Sequence, residues 1–129
     1  MDLQHNTMES IDLSGCTILD KDYSDIAFER ANFEQARFEK VVFSKCSFTN
    51  CNLEYARFTD CQMGDVRFDN CRMFGSEFIE CEMEGSRMES CDVRQAGFIN
   101  TDIRDVAMDD CDTNGIVLYG QGQQEQGMM

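Results

Sequence analysis

The sequence predicts an all-β chain, wound as a coil of very short extended segments around one apolar axis. Every fifth residue from Leu3 to Leu118 is large and apolar, and Thr113 is the single departure among these twenty-four positions. A second series, two residues earlier in each repeat, carries mostly small or branched side chains such as Ala31 and Val41. The chain also contains no proline, which agrees with a backbone whose N–H groups are needed for strand pairing.

The five-residue period fits neither an α-helix nor a long strand. A helix places apolar residues at i, i+3, i+4 and i+7, and a long half-buried strand alternates by two. Here the inward positions are separated by two residues and then by three. Residues two apart share one face of an extended segment, so Ala31 and Phe33 can point inward together. The following step of three requires a bend, so we expect a corner in every repeat. Successive coils then pair to satisfy their backbone groups.

The repeats themselves resemble a known family. Residues 31–60 include the segments ANFEQ, ARFEK, CSFTN, CNLEY and ARFTD. They resemble pentapeptide repeats, whose pattern is a small residue, a polar residue, Leu or Phe, a polar residue and any residue. The resemblance implies a right-handed quadrilateral β-helix with four repeats per coil. About six coils at the ~4.8 Å spacing of paired strands give a length of ~29 Å. We expect one pentapeptide repeat β-helix over residues 1–119 and a disordered polar tail over 120–129.

The predicted core combines the aromatic positions with one column of cysteines. All eight cysteines fall at the small inward position, none forms a C-x-x-C pair, and the one histidine, His5, lies near the start. Because a free cysteine packs as a small buried hydrophobe, we expect no metal site and no cofactor. The unpaired thiols indicate a reducing cytoplasm. The predicted core residues are Phe28, Phe33, Phe38, Phe43, Phe48, Phe58, Phe68, Phe78, Phe98, Cys51, Cys71, Cys91 and Cys111.

The surface is strongly acidic, with a formal net charge of −14. Residues twenty apart stack if four repeats make a coil, and two such columns form a predicted acidic side. Its carboxylates are Glu9, Asp25, Glu29, Asp65, Asp69, Glu89, Asp105 and Asp109. One interpretation is a solvated surface that provides solubility. The other is imitation of DNA, because a ~29 Å rod matches about seventeen phosphates at one charge per ~1.7 Å. Stacked arginines, Arg37 with Arg57 and Arg67 with Arg87, interrupt other columns.

A third column indicates an assembly surface near the C-terminal end. Apolar side chains that face solvent in a contiguous patch are typical of a partner surface. A terminal coil also leaves a sheet edge that needs covering. Either a C-terminal homodimer or the polar tail could cover it, and the sequence leaves both open. The predicted dimer interface comprises Phe74, Ile79, Ile99, Val117 and Tyr119.

No catalytic constellation is evident, since the chain has one histidine and no glycine-rich phosphate loop. The architecture resembles the quinolone-resistance pentapeptide proteins, although the chain is shorter and its unbroken frame lacks their loops. The resemblance implies a cytoplasmic protein that dimerises through its C-terminal coils and binds DNA gyrase or topoisomerase IV in place of DNA. We therefore expect a non-enzymatic acidic binding protein that contacts neither nucleic acid nor membrane directly. The alternative is a passive interaction scaffold or effector module with an unrelated protein partner.

Overall fold

The computed structural model describes residues 6–120 as a stack of very short strands, with no helix among those residues. The strands alternate with corners along the whole stack. They are β1 Asn6–Glu9, β2 Thr17–Leu19, β3 Ile26–Glu29, β4 Arg37–Glu39, β5 Ser47–Thr49, β6 Arg57–Thr59, β7 Arg67–Asp69, β8 Glu77–Ile79, β9 Arg87–Glu89, β10 Gly97–Ile99, β11 Ala107–Asp109 and β12 Val117–Tyr119.

The strands form two parallel sheets on opposite sides of the stack. One sheet has the order β1-β3-β5-β7-β9-β11 and the other β12-β10-β8-β6-β4-β2. Each strand pairs with one twenty residues away, as Phe28 pairs with Phe48 and Phe48 with Phe68. Isolated parallel bridges, such as Asn32 with Asn52, complete the other two sides. The predicted all-β solenoid of about six coils is therefore confirmed.

A corner ends every repeat, as the spacing predicts. Residues whose numbers end in 0 or 5 adopt positive φ values from position 10 to position 120, with Asp105 as the single exception. Most of these residues are Asn, Asp or Gly, which adopt the left-handed region more readily than other residues do, but Tyr55 also has a φ of 60°. The left-handed residue turns the chain so that the next inward pair again faces the axis. This conformation converts the alternating steps of two and three into a closed coil.

The nine predicted phenylalanines fill the axis, and each is at most 1% exposed. Their rings form columns at the strand register. Phe58 stacks between Phe38 at 4.9 Å and Phe78 at 4.8 Å, with interplanar angles of 12° and 2°. Adjacent sides meet edge to face, as Phe43 does with Phe58 at 5.7 Å. The inward assignment of the phenylalanines is confirmed.

The cysteines form hydrogen bonds inside the stack as well as packing there. The thiol of Cys91 donates to the carbonyl of Phe68, and its sulfur accepts the backbone N–H of Cys71, both at 3.4 Å. Ser86 occupies an equivalent position: it donates to the carbonyl of Met63 at 2.6 Å and accepts the N–H of Val66 at 3.3 Å. A polar atom at the small inward position therefore accepts an N–H and donates to a carbonyl of the preceding coil, twenty and twenty-three residues earlier.

The inward assignment of the cysteines holds for six of the eight. Cys51, Cys71 and Cys91 are buried in one column, as predicted, but Cys111 is only half-buried and Cys16 is exposed. The reason is position in the stack: these two lie in the outermost coils of the described residues, where one side lacks a covering coil. For the buried thiols, burial opposes ionisation and raises the pKa of Cys46 to about 11.

The C-terminal coil is open in the part of the chain that the structure describes. Leu118 occupies a large inward position and is nevertheless 50% exposed. The predicted disordered tail over 120–129 falls, apart from Gly120, outside the described residues, and so does His5.

Candidate functional site

The predicted acidic side lies on the sheet that begins with β1. The strand register stacks Glu9 on Glu29, Glu29 on Thr49, Thr49 on Asp69, Asp69 on Glu89 and Glu89 on Asp109. Each of these residues ends its strand. The column is therefore continuous along the stack, with a ~4.8 Å step from one coil to the next.

A second carboxylate column borders the same sheet at the corners that precede its strands. Asp25, Asp65 and Asp105 occupy these corners and are exposed. Lys45 occupies the equivalent corner between Asp25 and Asp65, and Gly85 occupies the one between Asp65 and Asp105. None of the three aspartates has an ion-pair partner among residues 6–120. The two columns thus flank the strands, and the structure brings the predicted acidic residues to one side.

Arginines lie between the two columns, on the acidic side itself. Arg67 and Arg87 are stacked in register at the starts of β7 and β9. Arg67 approaches Glu89 at 3.8 Å, and Arg87 approaches Asp109 at the same distance. All four side chains are largely exposed, so each contact contributes at most ~1 kcal/mol. The acidic side is therefore partly neutralised towards its C-terminal half.

The acidic side ends at a break in the ladder. At equivalent corners the fifth residue of a repeat donates its N–H to a carbonyl in the next coil, that of the fourth residue of the stacked repeat. Asp65 donates in this way to the carbonyl of Glu84 at 3.1 Å. Gly85 instead donates to the carbonyl of Asp105, at 3.1 Å, and Asp105 is the corner without positive φ. The bridge expected between Glu82 and Asp102 is also missing. An acidic hollow lies at this corner, lined by Ser44, Gln62, Gly64, Asp65, Glu82, Glu84, Gly85 and Asp105.

A further set of carboxylates, not predicted as functional, has pKa values lowered by hydrogen bonds within the corners. Hydrogen bonds from the Ser14 side chain and N–H lower the pKa of Asp12, and Ser24 lowers the pKa of Asp22 in the same way. The spacing Asp-x-Ser is a sequence signal for this turn, because an Asp side chain accepts the N–H two residues later. Asp12 and Asp22 stabilise the turns in which they lie, and they do not change the charge of the acidic side.

The same turn occurs with arginine near the C-terminal end. Arg94 donates to both oxygens of Asp92 at 2.8 Å, and Arg104 donates to both oxygens of Asp102. These charge-assisted bonds lower the pKa of both aspartates. Arg94 also lies over the ring of Phe74, 5.2 Å from its centroid.

The predicted dimer residues lie on the opposite sheet and one of its corners. Register places Ile79 beside Ile99 and Ile99 beside Tyr119, at the outer ends of β8, β10 and β12. Tyr119 is 68% exposed and Val117 is exposed with it. Phe74 lies at the corner before β8, whereas Ile79 ends that strand, so β8 separates the two. The dimer interface itself stays a prediction.

Within residues 6–120 there is no cluster of three or more His, Cys, Asp or Glu side chains suited to a metal ion. The same part of the chain contains no helix long and apolar enough to cross a membrane.

Comparison with known proteins identifies the repeat. A family model described as pentapeptide repeat region matches residues 21–87, just over half of the chain. The chain belongs to the pentapeptide repeat family. No curated protein sequence matches it.

Solved structures of low sequence identity share the fold of this pentapeptide repeat protein. A trypsin-treated variant of QnrB1, a plasmid-mediated fluoroquinolone resistance protein, is 14% identical with a TM-score of 0.68. The match covers 89% of this chain and 71% of QnrB1. A provisionally named glycosyl hydrolase from Parabacteroides merdae ATCC 43184 is 7% identical with a TM-score of 0.55, covering 88% and 74%. A pentapeptide repeat protein, Rfr23, from the cyanobacterium Cyanothece 51142 is 10% identical with a TM-score of 0.42, covering 87% and 90%. At these identities the likeness concerns the fold alone, and it rests on the first two structures.

Proposed function

We propose that this pentapeptide repeat protein is a non-enzymatic binding protein whose acidic side occupies the basic DNA-binding surface of a type II topoisomerase, such as DNA gyrase. The observation that carries the proposal is the register of the two carboxylate columns, which gives one side of a narrow rod a repeating negative charge. QnrB1, which has the same fold, is described as a fluoroquinolone resistance protein, and this supports a topoisomerase as the partner.

The mechanism is competition for a basic surface. Carboxylates such as Asp25, Asp65 and Asp105 have no ion-pair partner within residues 6–120, so they are available to lysine and arginine side chains of the partner. These three aspartates occupy every second coil, so their step is roughly twice the ~4.8 Å between coils, whereas one DNA strand carries a phosphate per ~3.4 Å of helix axis. The match to DNA is therefore one of overall charge and length. Because such attraction is screened over about 10 Å at 0.1 M salt, binding should weaken as salt rises.

Two further parts of the proposal concern assembly and location. The protein dimerises through the apolar column near its C-terminal end, with Ile79, Ile99 and Tyr119 at the contact. It functions in the cytoplasm, because its buried thiols carry no disulfides in the described residues and a reducing compartment keeps them so. Sedimentation of the wild type against Ile99→Lys tests assembly: a dimer mass that falls to a monomer supports the interface, and equal masses contradict it.

Charge reversal tests the mimicry. Combining Glu89→Lys, Asp105→Lys and Asp109→Lys should abolish inhibition of gyrase supercoiling, since it reverses the C-terminal half of the acidic side. A matched control reverses three carboxylates on the other side of the rod: Glu39→Lys, Asp60→Lys and Glu80→Lys. The control should retain inhibition although its net charge changes equally. Similar inhibition by both variants would contradict a role for the acidic side, provided that circular dichroism shows both to be folded.

A second candidate, a protein-interaction scaffold unrelated to DNA, is favoured by one observation. Arg67 and Arg87 lie in the middle of the acidic side, and a DNA backbone has no positive counterpart. A scaffold would leave gyrase activity unchanged at every protein concentration and would recover an unrelated protein in a pull-down. The supercoiling assay therefore separates the two candidates directly.

A further inference from the structure

The sheet opposite the acidic side carries a small basic and aromatic strip near its N-terminal end. Arg37 and Arg57 begin β4 and β6 and are stacked in register, about 4.8 Å apart along the rod. Tyr55 lies at the corner that precedes β6 and is 52% exposed. A shallow groove runs past these three side chains, and Gly15, Thr17, Gln35, Gly75 and Glu77 complete its lining.

Arg37 is unusual among the eight arginines of the chain. The other seven each have a carboxylate within 4.0 Å, as Arg30 has Glu9 and Arg72 has Glu54. Arg37 has no ion pair or side-chain hydrogen bond with any residue of the described range 6–120, and it is exposed. In a protein of net charge −14, an exposed arginine left without a carboxylate is available to an external one.

Arg57 is held in place beside it. Its Nε donates to Oε1 of Glu77 at 3.0 Å, whereas no acceptor within residues 6–120 contacts its terminal nitrogens. The bond at Nε therefore orients the guanidinium group of Arg57, and the N–H groups of its two terminal nitrogens stay available to a ligand. Two arginines in register on adjacent strands, lining one groove, can donate to one carboxylate together, and such charge-assisted bonds are stronger than neutral ones.

Tyr55 forms an aromatic wall beside the two arginines. Its ring packs edge to face on Phe74 at 5.6 Å, with an interplanar angle of 83°. It also lies over Gly75, where a Cβ would be only 2.7 Å from its Cε1 atom. The absence of a side chain at residue 75 therefore creates the space that the ring occupies. The result is an exposed aromatic face with a fixed support, next to an unpaired cation.

We propose that this strip binds an acidic, aromatic-containing extended segment of a partner protein, with a carboxylate on Arg37 and Arg57 and an aromatic ring against Tyr55. Charge complementarity selects a carboxylate. A nucleic acid is disfavoured because its many phosphates would be repelled by the rest of this acidic protein, whereas a short segment brings few charges. The site lies on the sheet opposite the acidic side and does not depend on the proposed binding to a topoisomerase.

A labelled peptide tests the site directly. The probe is fluorescein-labelled Asp-Glu-Phe-Glu-Asp, with Asn-Gln-Phe-Gln-Asn as its uncharged analogue, and binding is followed by fluorescence anisotropy at 50 mM and 300 mM salt. We expect the acidic peptide to bind, its analogue not to bind, and R37Q to weaken binding by about tenfold or more, the loss of one charge-assisted bond. The matched control R67Q, which removes an arginine from the acidic side, should leave affinity unchanged.

Three outcomes would overturn the proposal. The first is no binding of the acidic peptide to the wild type at 50 mM salt. The second is an equal loss in R37Q and R67Q, which would indicate a response to net charge alone. The third is tighter binding of a twelve-residue oligothymidylate than of the peptide, which would replace the protein segment by a nucleic acid. Since Arg37 is exposed, R37Q should fold normally, and circular dichroism checks that it does.

Discussion

The stacked phenylalanine column makes Phe58→Ala the most informative perturbation of the fold. Phe58 is fully buried and lies between Phe38 and Phe78 at ring separations of 4.9 and 4.8 Å. Truncation of a buried Phe typically costs about 3–5 kcal/mol. Each aromatic pair lost adds about 0.5–1.5 kcal/mol beyond buried area. Because one ring and both of its stacked pairs are lost between rigid coils, we expect a value of ~5 kcal/mol.

Urea unfolding followed by far-ultraviolet circular dichroism measures this cost. The matched control is Leu118→Ala, which removes a large side chain at the same repeat position in the open terminal coil. Because Leu118 is 50% exposed, its truncation should cost less than about 1.5 kcal/mol. Equal costs for the two variants, or a loss below about 1 kcal/mol for Phe58→Ala, would refute the argument that the aromatic column carries the stability.

Three further predictions concern other parts of the stack. Cys71→Ser should cost less than about 1.5 kcal/mol in the same urea assay, because the hydroxyl can donate to the backbone carbonyl that the thiol contacts at 3.1 Å. Asp92→Asn should reduce stability more at pH 7 than at pH 3. The hydrogen bonds from Arg94 depress the folded pKa of Asp92, so its stabilisation is full above about pH 4 and declines as pH falls through the lower folded value; a wild-type advantage of equal size at pH 7 and pH 3 would contradict this. Gly75→Ala should destabilise by about 1–3 kcal/mol because residue 75 has a φ of +69° and the new Cβ meets the Tyr55 ring; a stability equal to the wild type would exclude both causes.

The sequence predicts the core of this protein well because one period fixes every inward position. Phe33 and Phe48 point to the axis for the same reason, and once residues twenty apart are in register the columns of Glu29 and Asp69 follow. To predict that these columns lie on one side of the rod, only the number of repeats per coil had to be known in addition. Local repetition and global fold agree throughout the stack, which is why these inferences transfer from residue to residue.

Features that break the repetition could not be predicted in the same way. Cys16 occupies the same repeat position as Cys71, and only its place in an outer coil exposes it. The ion pair of Arg67 with Glu89 depends on side-chain torsions across two strands. The altered corner at Asp105 depends on the orientation of one peptide group. None of these is encoded by spacing alone, since all depend on what lies above and below a residue.

The altered corner at Asp105 has a mechanical consequence. Elsewhere on that side of the rod a bridge joins each coil to the next, but between Glu82 and Asp102 this attachment is absent. The final coil is therefore bridged to its neighbour along three sides, whereas along the fourth the bridge is replaced by the hydrogen bond from Gly85 to Asp105. We expect this coil to open locally as one unit, starting from that side. The amide protons of residues 101–120 should therefore exchange with solvent sooner than those of the central coils. Unfolding should therefore begin at the C-terminal coil and proceed towards the central coils, whose axis is filled by phenylalanines.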